Sequence, residues 1–233
     1  MSGDHRITWT GDSAVVVAFE ARIDPETSDR VLALARAVAA DPPAGVRDVV
    51  PTYHAVTVHF DPLRTDVVGL LERLGREAGR PVPMARDGQV LVRIPVCYGG
   101  ALGPDLADVA AWSGLGEDEV VDRHVSATYR VFMLGFLPGF AYLGPVDHRI
   151  AMPRKDRPRV QVPEGSVGLA GGQTGVYPQA SPGGWQIIGR TPHRMIDLSR
   201  PDPFLLSPGD LVRFYRIDEA AFEEGLLRPE VAA

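Results

Sequence analysis

Residues 132–210 hold 11 of the chain's 21 prolines and 12 of its 25 glycines, and no apolar run there lasts more than a few residues before one of them interrupts it. Proline cannot continue a helix and glycine weakens one, so this third of the chain cannot be built from long helices. Short apolar runs at 167–170, Ile187-Ile188 and 195–198, set between turn residues, specify a small β-barrel with many tight turns. Pro208-Gly209-Asp210 supplies a turn before a last strand over 211–217, because proline and glycine suit its two central positions.

The first 85 or so residues follow another pattern. Runs at 7–10 and 14–19 flank the turn dipeptide Gly11-Asp12, and Val15, Val17 and Phe19 share one face, which specifies a hairpin. Asp24-Pro25 offers an N-cap with proline at the first helical position, and Val31, Leu34, Ala35 and Val38 recur at helical spacing until Asp41-Pro42-Pro43 ends the run. His54, Val56, Val58 and Phe60 alternate as a strand. Val67, Leu70, Leu71 and Leu74 follow Asp61-Pro62 at helical spacing and stop near Gly79. Two small β/α layers of this kind make a ferredoxin-like arrangement.

Arg80-Pro81-Val82-Pro83 and Asp87-Gly88 read as a linker, which places a ferredoxin-like α/β domain at 1–86 and a β-barrel domain at 87–233, an α+β chain overall. Val90, Val92, Ile94 and Val96 open the second domain as a strand. Two short helical patterns follow at 105–112 and 117–125. They have the layout of a DNA-reading pair, but no Arg or Lys cluster lies on the second, so a packed helical insertion is the better reading.

Several functions are excluded or disfavoured. With 24 basic against 30 acidic residues the net charge is −6 and the cations are not striped, which disfavours nucleic acid as a partner. Every apolar run is broken by Arg, Asp, Gly or Pro, so no membrane-spanning helix is expected, and a single cysteine, Cys97, excludes an internal disulfide framework. The start of the sequence lacks a secretory pattern, and a cytoplasmic protein is expected. No P-loop occurs, and Lys155 is the only lysine. His5, His54, His59, His124, His148 and His193 never fall at H-x-x-x-H spacing, and no metal site is expected. Ser166 is not in a G-x-S-x-G elbow and Cys97 ends an apolar strand, so both read as structural.

Three clusters carry potential chemistry. In 171–185, glycines allow close backbone approach while Gln173, Thr174, Tyr177 and Ser181 supply neutral donors and acceptors beside Trp185; the other reading is two turns on a barrel rim. Arg149, Arg154, Lys155, Arg157 and Arg159 form a cationic run suited to a carboxylate or phosphate, or simply a solvated loop, and Arg190 is a further anion ligand or a barrel-end ion pair. The loop containing Phe136, Phe140 and Tyr142 either walls a pocket, docks on another subunit or is core, and Tyr98-Gly99-Gly100 either approaches a ligand or makes a plain turn.

In order along the chain, these segments resemble the family of 5-oxoprolinase B-type subunits, also called allophanate hydrolase subunit 1 and including KipI-type sensor-kinase inhibitors. The matching strings are Ile94 to Gly100, Gly103-Pro104-Asp105-Leu106, 129–144, Pro153-Arg154 with Pro158-Arg159, Val162-Pro163, Gly165-Ser166-Val167, 173–178, 181–185 and Gly189-Arg190-Thr191-Pro192, with Gly11-Asp12-Ser13 and Pro208-Gly209-Asp210 at the two ends. Pro145 departs from the family pattern, which has a second glycine after Gly144. The resemblance implies a cyclophilin-like barrel, a larger C-type subunit and an A-type subunit as partners, and conversion of 5-oxo-L-proline with ATP and water to L-glutamate, ADP and phosphate. It implies Gln173, Arg154 and Arg190 as catalytic candidates, and Tyr98, Phe136, Tyr142, Arg159, Thr174, Tyr177, Ser181 and Trp185 as substrate contacts. The family's other members leave two alternatives: an inhibitor of a sensor histidine kinase, and a subunit of an allophanate- or urea-degrading amidohydrolase. No motif carries over a prolyl isomerase's catalytic arginine.

Overall fold

The structure, a computed structural model, describes residues 5–82, 90–225 and 230–232. The chain divides into two compact units, 1–87 and 88–233. The linker read from Arg80-Pro81-Val82-Pro83 to Asp87-Gly88 runs into residues 83–89, and the boundary placed at residue 86 falls among these, outside the described residues.

In the first unit, strands β1 (Arg6–Trp9) and β2 (Ala14–Ala18) form the expected hairpin, with Trp9 opposite Val15 and Gly11 at φ +69 in the turn. Helix α1 (Pro25–Ala40) starts where Asp24 accepts the N–H groups of Glu26 and Thr27, each at 3.0 Å, which satisfies two of the orphan donors of a helix start. Strand β3 (Val46–Pro51) was not anticipated. It is an edge strand with a bulge between Val46 and Asp48, and its residues are half-buried or exposed, so no clean alternation marks it. Strand β4 (Ala55–Phe60) follows, then helix α2 (Val67–Ala78), capped by Asp66. Asp61, just after β4, takes an ion pair from Arg47 at 2.8 Å.

The sheet order is β1-β2-β4-β3 with antiparallel neighbours throughout, so β2 and β3 run parallel, joined by α1 with β4 between them. Val15, Val17, Val31, Leu34, Val56, Val58, Leu70 and Leu74 fill the core between this sheet and the two helices.

The second unit is a closed barrel. Its strands are β5 (Leu91–Tyr98), β6 (Tyr129–Leu134), β7 (Ala141–Gly144), β9 (Ser166–Ala170), β10 (Gln173–Val176), β12 (Gln186–Arg190) and β13 (Leu211–Ile217). They run β12-β9-β10-β7-β6-β13-β5, and β12 returns to β5 through Gly189 opposite Tyr98 and Arg190 opposite Cys97. Closure needs Gly189, because a Cβ there would stand 2.6 Å from Val96 Cγ1 and 2.8 Å from the Cys97 carbonyl oxygen. Strands β5 and β13 pair in parallel along seven residues, although more than a hundred residues separate them in sequence. Helices α3 (Leu106–Ser113) and α4 (Glu117–Ser126) pack on the barrel through Leu106, Val109, Val120 and Val121, as the insertion reading expects.

Outside the barrel, β8 (Arg159–Val162) and β11 (Ser181–Gly183) form a separate two-stranded ribbon. Two readings of the second unit need correcting. The apolar run at 195–198 makes only an isolated bridge, Ile196 to Phe204. Strand β13 is not the last, because helix α5 (Glu219–Glu223) and strand β14 (Glu230–Ala232) follow, β14 pairing with β5. The segment 136–144 is not one regular element, in keeping with its proline and glycines, and divides into a turn followed by β7. No helix among the described residues is long and apolar enough to cross a membrane.

Candidate functional site

Where the ribbon meets the barrel, the aromatic side chains of the glycine-rich segments converge on a pocket of about 250 Å³. Phe140, just before β7, is its hub: its ring stands edge-on to Tyr142 (4.9 Å), Tyr177 (5.2 Å) and Trp185 (5.3 Å). Such T-shaped pairs hold the rings rigidly and present flat apolar faces. Pro182 and Gly183 of the ribbon, with the flanking Pro158 and Gly184, complete the lining. Gly183 is required there, because any Cβ would collide with the Tyr177 hydroxyl and come within 2.8 Å of its ring carbons. Burial pushes the phenol pKa values of Tyr142 and Tyr177 upward, so both present neutral hydroxyls at physiological pH.

One cation faces this apolar floor. The Arg154 guanidinium lies 5.7 Å from the centre of the Trp185 ring, and it pairs with no carboxylate among the described residues. Three other members of the cationic run are committed elsewhere. Arg149 is held by Asp147 at 2.6 Å, whereas Lys155 (2.7 Å) and Arg159 (2.6 Å) both bind Asp105 Oδ1. Asp105 Oδ2 also accepts the Ile187 N–H at 2.6 Å. Burial works to raise the Asp105 pKa, but the hydrogen bonds from Arg159, Lys155 and Ile187 outweigh it, and the carboxyl sits below its ordinary range. Asp105 thereby ties the loop that carries Arg154 and Pro158 to α3 and β12.

The remaining site residues lie away from this pocket. Gln173 begins β10 beside the Gly171-Gly172 turn. Ser181 starts β11, its hydroxyl directed at the Pro182 carbonyl. Arg190 donates to the Glu164 carbonyl at 2.6 Å and covers the Phe222 ring, a structural role at the barrel end. Arg159 reaches Asp105 and is not part of the lining.

Tyr98 and Thr174 belong to a buried network centred on His124. Thr174 donates to the Gly168 carbonyl (3.0 Å) and so accepts from His124 Nε2 (2.9 Å), which leaves Nδ1 to accept the Tyr98 hydroxyl (2.8 Å). Burial lowers the His124 pKa to about 3, so the ring is neutral.

The pocket therefore unites Phe136, Tyr142, Arg154, Tyr177 and Trp185. Sequence reasoning gave no site role to Asp105, Gly183 or His124. Phe140 was visible within its aromatic loop. Asp105 had only the Gly-Pro-Asp string that opens α3, with nothing to show that its partners lie about fifty residues downstream.

The family model for the carboxyltransferase domain, subdomain C and D, matches residues 5–206. The 5-oxoprolinase B-type subunit of Bacillus subtilis (strain 168) is 41% identical over 229 residues, 94% of this chain and 95% of that protein. The protein of the same name from Escherichia coli O157:H7 is 44% identical over 207 residues, 88% of this chain and 92% of that one. Among solved structures, TTHA0988 is similar with a TM-score of 0.79 and 40% identity over 88% of this chain. That chain is longer, and the present one spans 40% of it. With a family model across most of its length and relatives of the same name aligned nearly end to end, the chain belongs to the family of 5-oxoprolinase B-type subunits.

Proposed function

We propose that the chain works as the B-type subunit of an ATP-dependent 5-oxoprolinase, together with A-type and larger C-type subunits, in the opening of 5-oxo-L-proline to L-glutamate with ATP consumed to ADP and phosphate. The observation that carries this reading is the alignment over more than nine-tenths of the length of two proteins named as that subunit of 5-oxoprolinase. The longer TTHA0988 chain, in which the similar region is fused to further sequence, supports action alongside another unit.

The pocket is the substrate site in this reading. A five-membered lactam is flat and largely apolar on its faces, which suits the Phe140, Tyr142 and Trp185 rings, and its carboxylate suits the unpaired Arg154 fork. Tyr177 offers a neutral hydroxyl for the lactam edge. A lactam resists water until its oxygen is activated, and phosphorylation of that oxygen is the step for which ATP is needed. This pocket does not fit ATP: it has one cation on an apolar floor, and the sole lysine is bound to Asp105. ATP contacts are therefore assigned to the partner subunits, and this chain's part is to bind and orient the ring. Such an ATP-consuming complex belongs in the cytoplasm.

The first unit is ferredoxin-like with its outer strand supplied by the N-terminus, since β2-α1-β3 enclose β4 and β1 flanks β2. The barrel is read as cyclophilin-like.

Co-expression with both partner subunits, followed by measurement of 5-oxoproline-dependent phosphate and glutamate release, tests the proposal. Turnover that disappears when this chain is left out is the expected result. An assembled but inactive complex would favour the kinase-inhibitor role instead, and turnover on allophanate or urea would favour the amidohydrolase role.

A further inference from the structure

Among the described residues, Phe136 is the only non-glycine residue with positive φ, at +67. The Leu137 N–H donates to the Gly135 carbonyl at 2.8 Å, so residues 135–137 form the rare γ-turn whose central residue lies in the left-handed region. For a bulky side chain this backbone is an outlier. The loop around it is pinned at both ends. The Gly135 N–H donates to the Phe140 carbonyl (3.1 Å), and the Phe140 N–H donates to the Leu137 carbonyl (3.0 Å). Gly139, at φ +76, packs so closely that a Cβ would fall 2.6 Å from Ile196 Cγ1.

Folding alone does not account for a phenylalanine here. The Phe136 side chain is 60% exposed, so it contributes little burial in return for the strain, and glycine would take the same turn without strain. What the ring does touch is the pocket: it lines the opening and stands edge-on to Phe140 at 5.6 Å and 86°.

We propose that Phe136 is the specificity-determining clamp of this pocket, its ring closing over the exposed face of a small planar ring seated against the Phe140 and Trp185 side. The strained γ-turn holds the ring over the opening before ligand arrives, so little side-chain freedom is lost on binding. A clamp of this kind selects flat, uncharged rings that carry a carboxylate at the Arg154 edge, and it disfavours open-chain amides, which cannot fill the slot between two aromatic faces. This proposal rests on reading the pocket as the 5-oxoproline site.

The test uses the assembled three-subunit complex for kinetics and this chain for thermal unfolding, with Phe136→Gly, Phe136→Leu and Arg154→Ala. The expected result for Phe136→Gly is a KM for 5-oxoproline raised about tenfold, the worth of one aromatic face contact, with an unfolding midpoint unchanged or higher. Phe136→Leu keeps the strained turn and recovers part of the affinity, which covers the case in which the glycine variant assembles poorly. If Phe136→Gly lowers the midpoint and leaves KM alone while Arg154→Ala raises KM, the pocket stands and the clamp is wrong. If neither substitution changes KM, the pocket reading falls, and the clamp with it.

Discussion

A carboxylate at 2% exposure stays ionised only if its charge is met, and Asp105 is met by Lys155, Arg159 and the Ile187 N–H. Asp105→Asn keeps an acceptor for the Ile187 N–H but leaves two cations against a neutral amide. Because Lys155 and Arg159 retain partial access to water, the loss should be on the order of 2–3 kcal/mol, below that of a fully buried pair. Urea unfolding should show a lower midpoint with an unchanged m-value; an unchanged midpoint would remove Asp105 from this role. The folded carboxyl titrates below the ordinary 3.8, so its stabilising contribution is complete above that pH and is lost as pH falls through the folded value. The asparagine variant should lack that acid-side dependence. At this scale the aromatic half of the pocket was legible, since Phe136, Tyr142, Tyr177 and Trp185 lie in distinctive strings. The cationic run was legible only as composition: Asp105 and Asp147 take Lys155, Arg159 and Arg149 and leave Arg154 at the pocket, and partner choice leaves no trace in local spacing.

Elements whose signals are local were read correctly, whereas those recognisable only against a partner strand were not. Asp24-Pro25 and the apolar period of α1 lie within one segment, as do Gly11-Asp12 and its flanking strands. By contrast β3 is recognisable only against β4, and the ribbon of β8 and β11 only because residues 159–162 and 181–183 meet across a distance no periodicity reveals. The ribbon also yields a prediction. Gly183 opposes Arg159 in its register and makes room for the Tyr177 ring, so Gly183→Ala must displace that ring towards the pocket. A raised KM for 5-oxoproline is expected in the assembled complex, together with an altered near-ultraviolet circular dichroism signal from the Phe140, Tyr177 and Trp185 cluster. Wild-type values for both would mean that the wall yields without disturbing the ring. Gly175→Ala is a harsher comparison, because its Cβ would meet the Ala141 carbonyl oxygen at 2.8 Å.

For the molecule as a whole, the two units have separate apolar cores, and among the described residues only the barrel core encloses a buried histidine network. His124 is fully buried, stacked on Phe214 at 4.6 Å, and bonded to residues of β5 and β10. Burial alone lowers its pKa to about 3, whereas the unfolded chain titrates near the ordinary 6.5. Between these values the unfolded state binds a proton that the folded state does not, so stability must fall as pH drops below about 6.5 and continue to fall towards 3. At pH 5 the difference amounts to about 2 kcal/mol, at roughly 1.4 kcal/mol per pH unit. Because the network lies in the second unit, the unfolding transition of that unit should carry this dependence. His124→Gln preserves a donor and an acceptor in similar positions but cannot take up the proton. Thermal unfolding of the two proteins from pH 7.5 to 4.5 should therefore show a wild-type barrel transition that declines with acid and a flatter one in the variant. Parallel declines would mean that some other group binds the proton and that His124 is already charged, or exposed, in the folded chain.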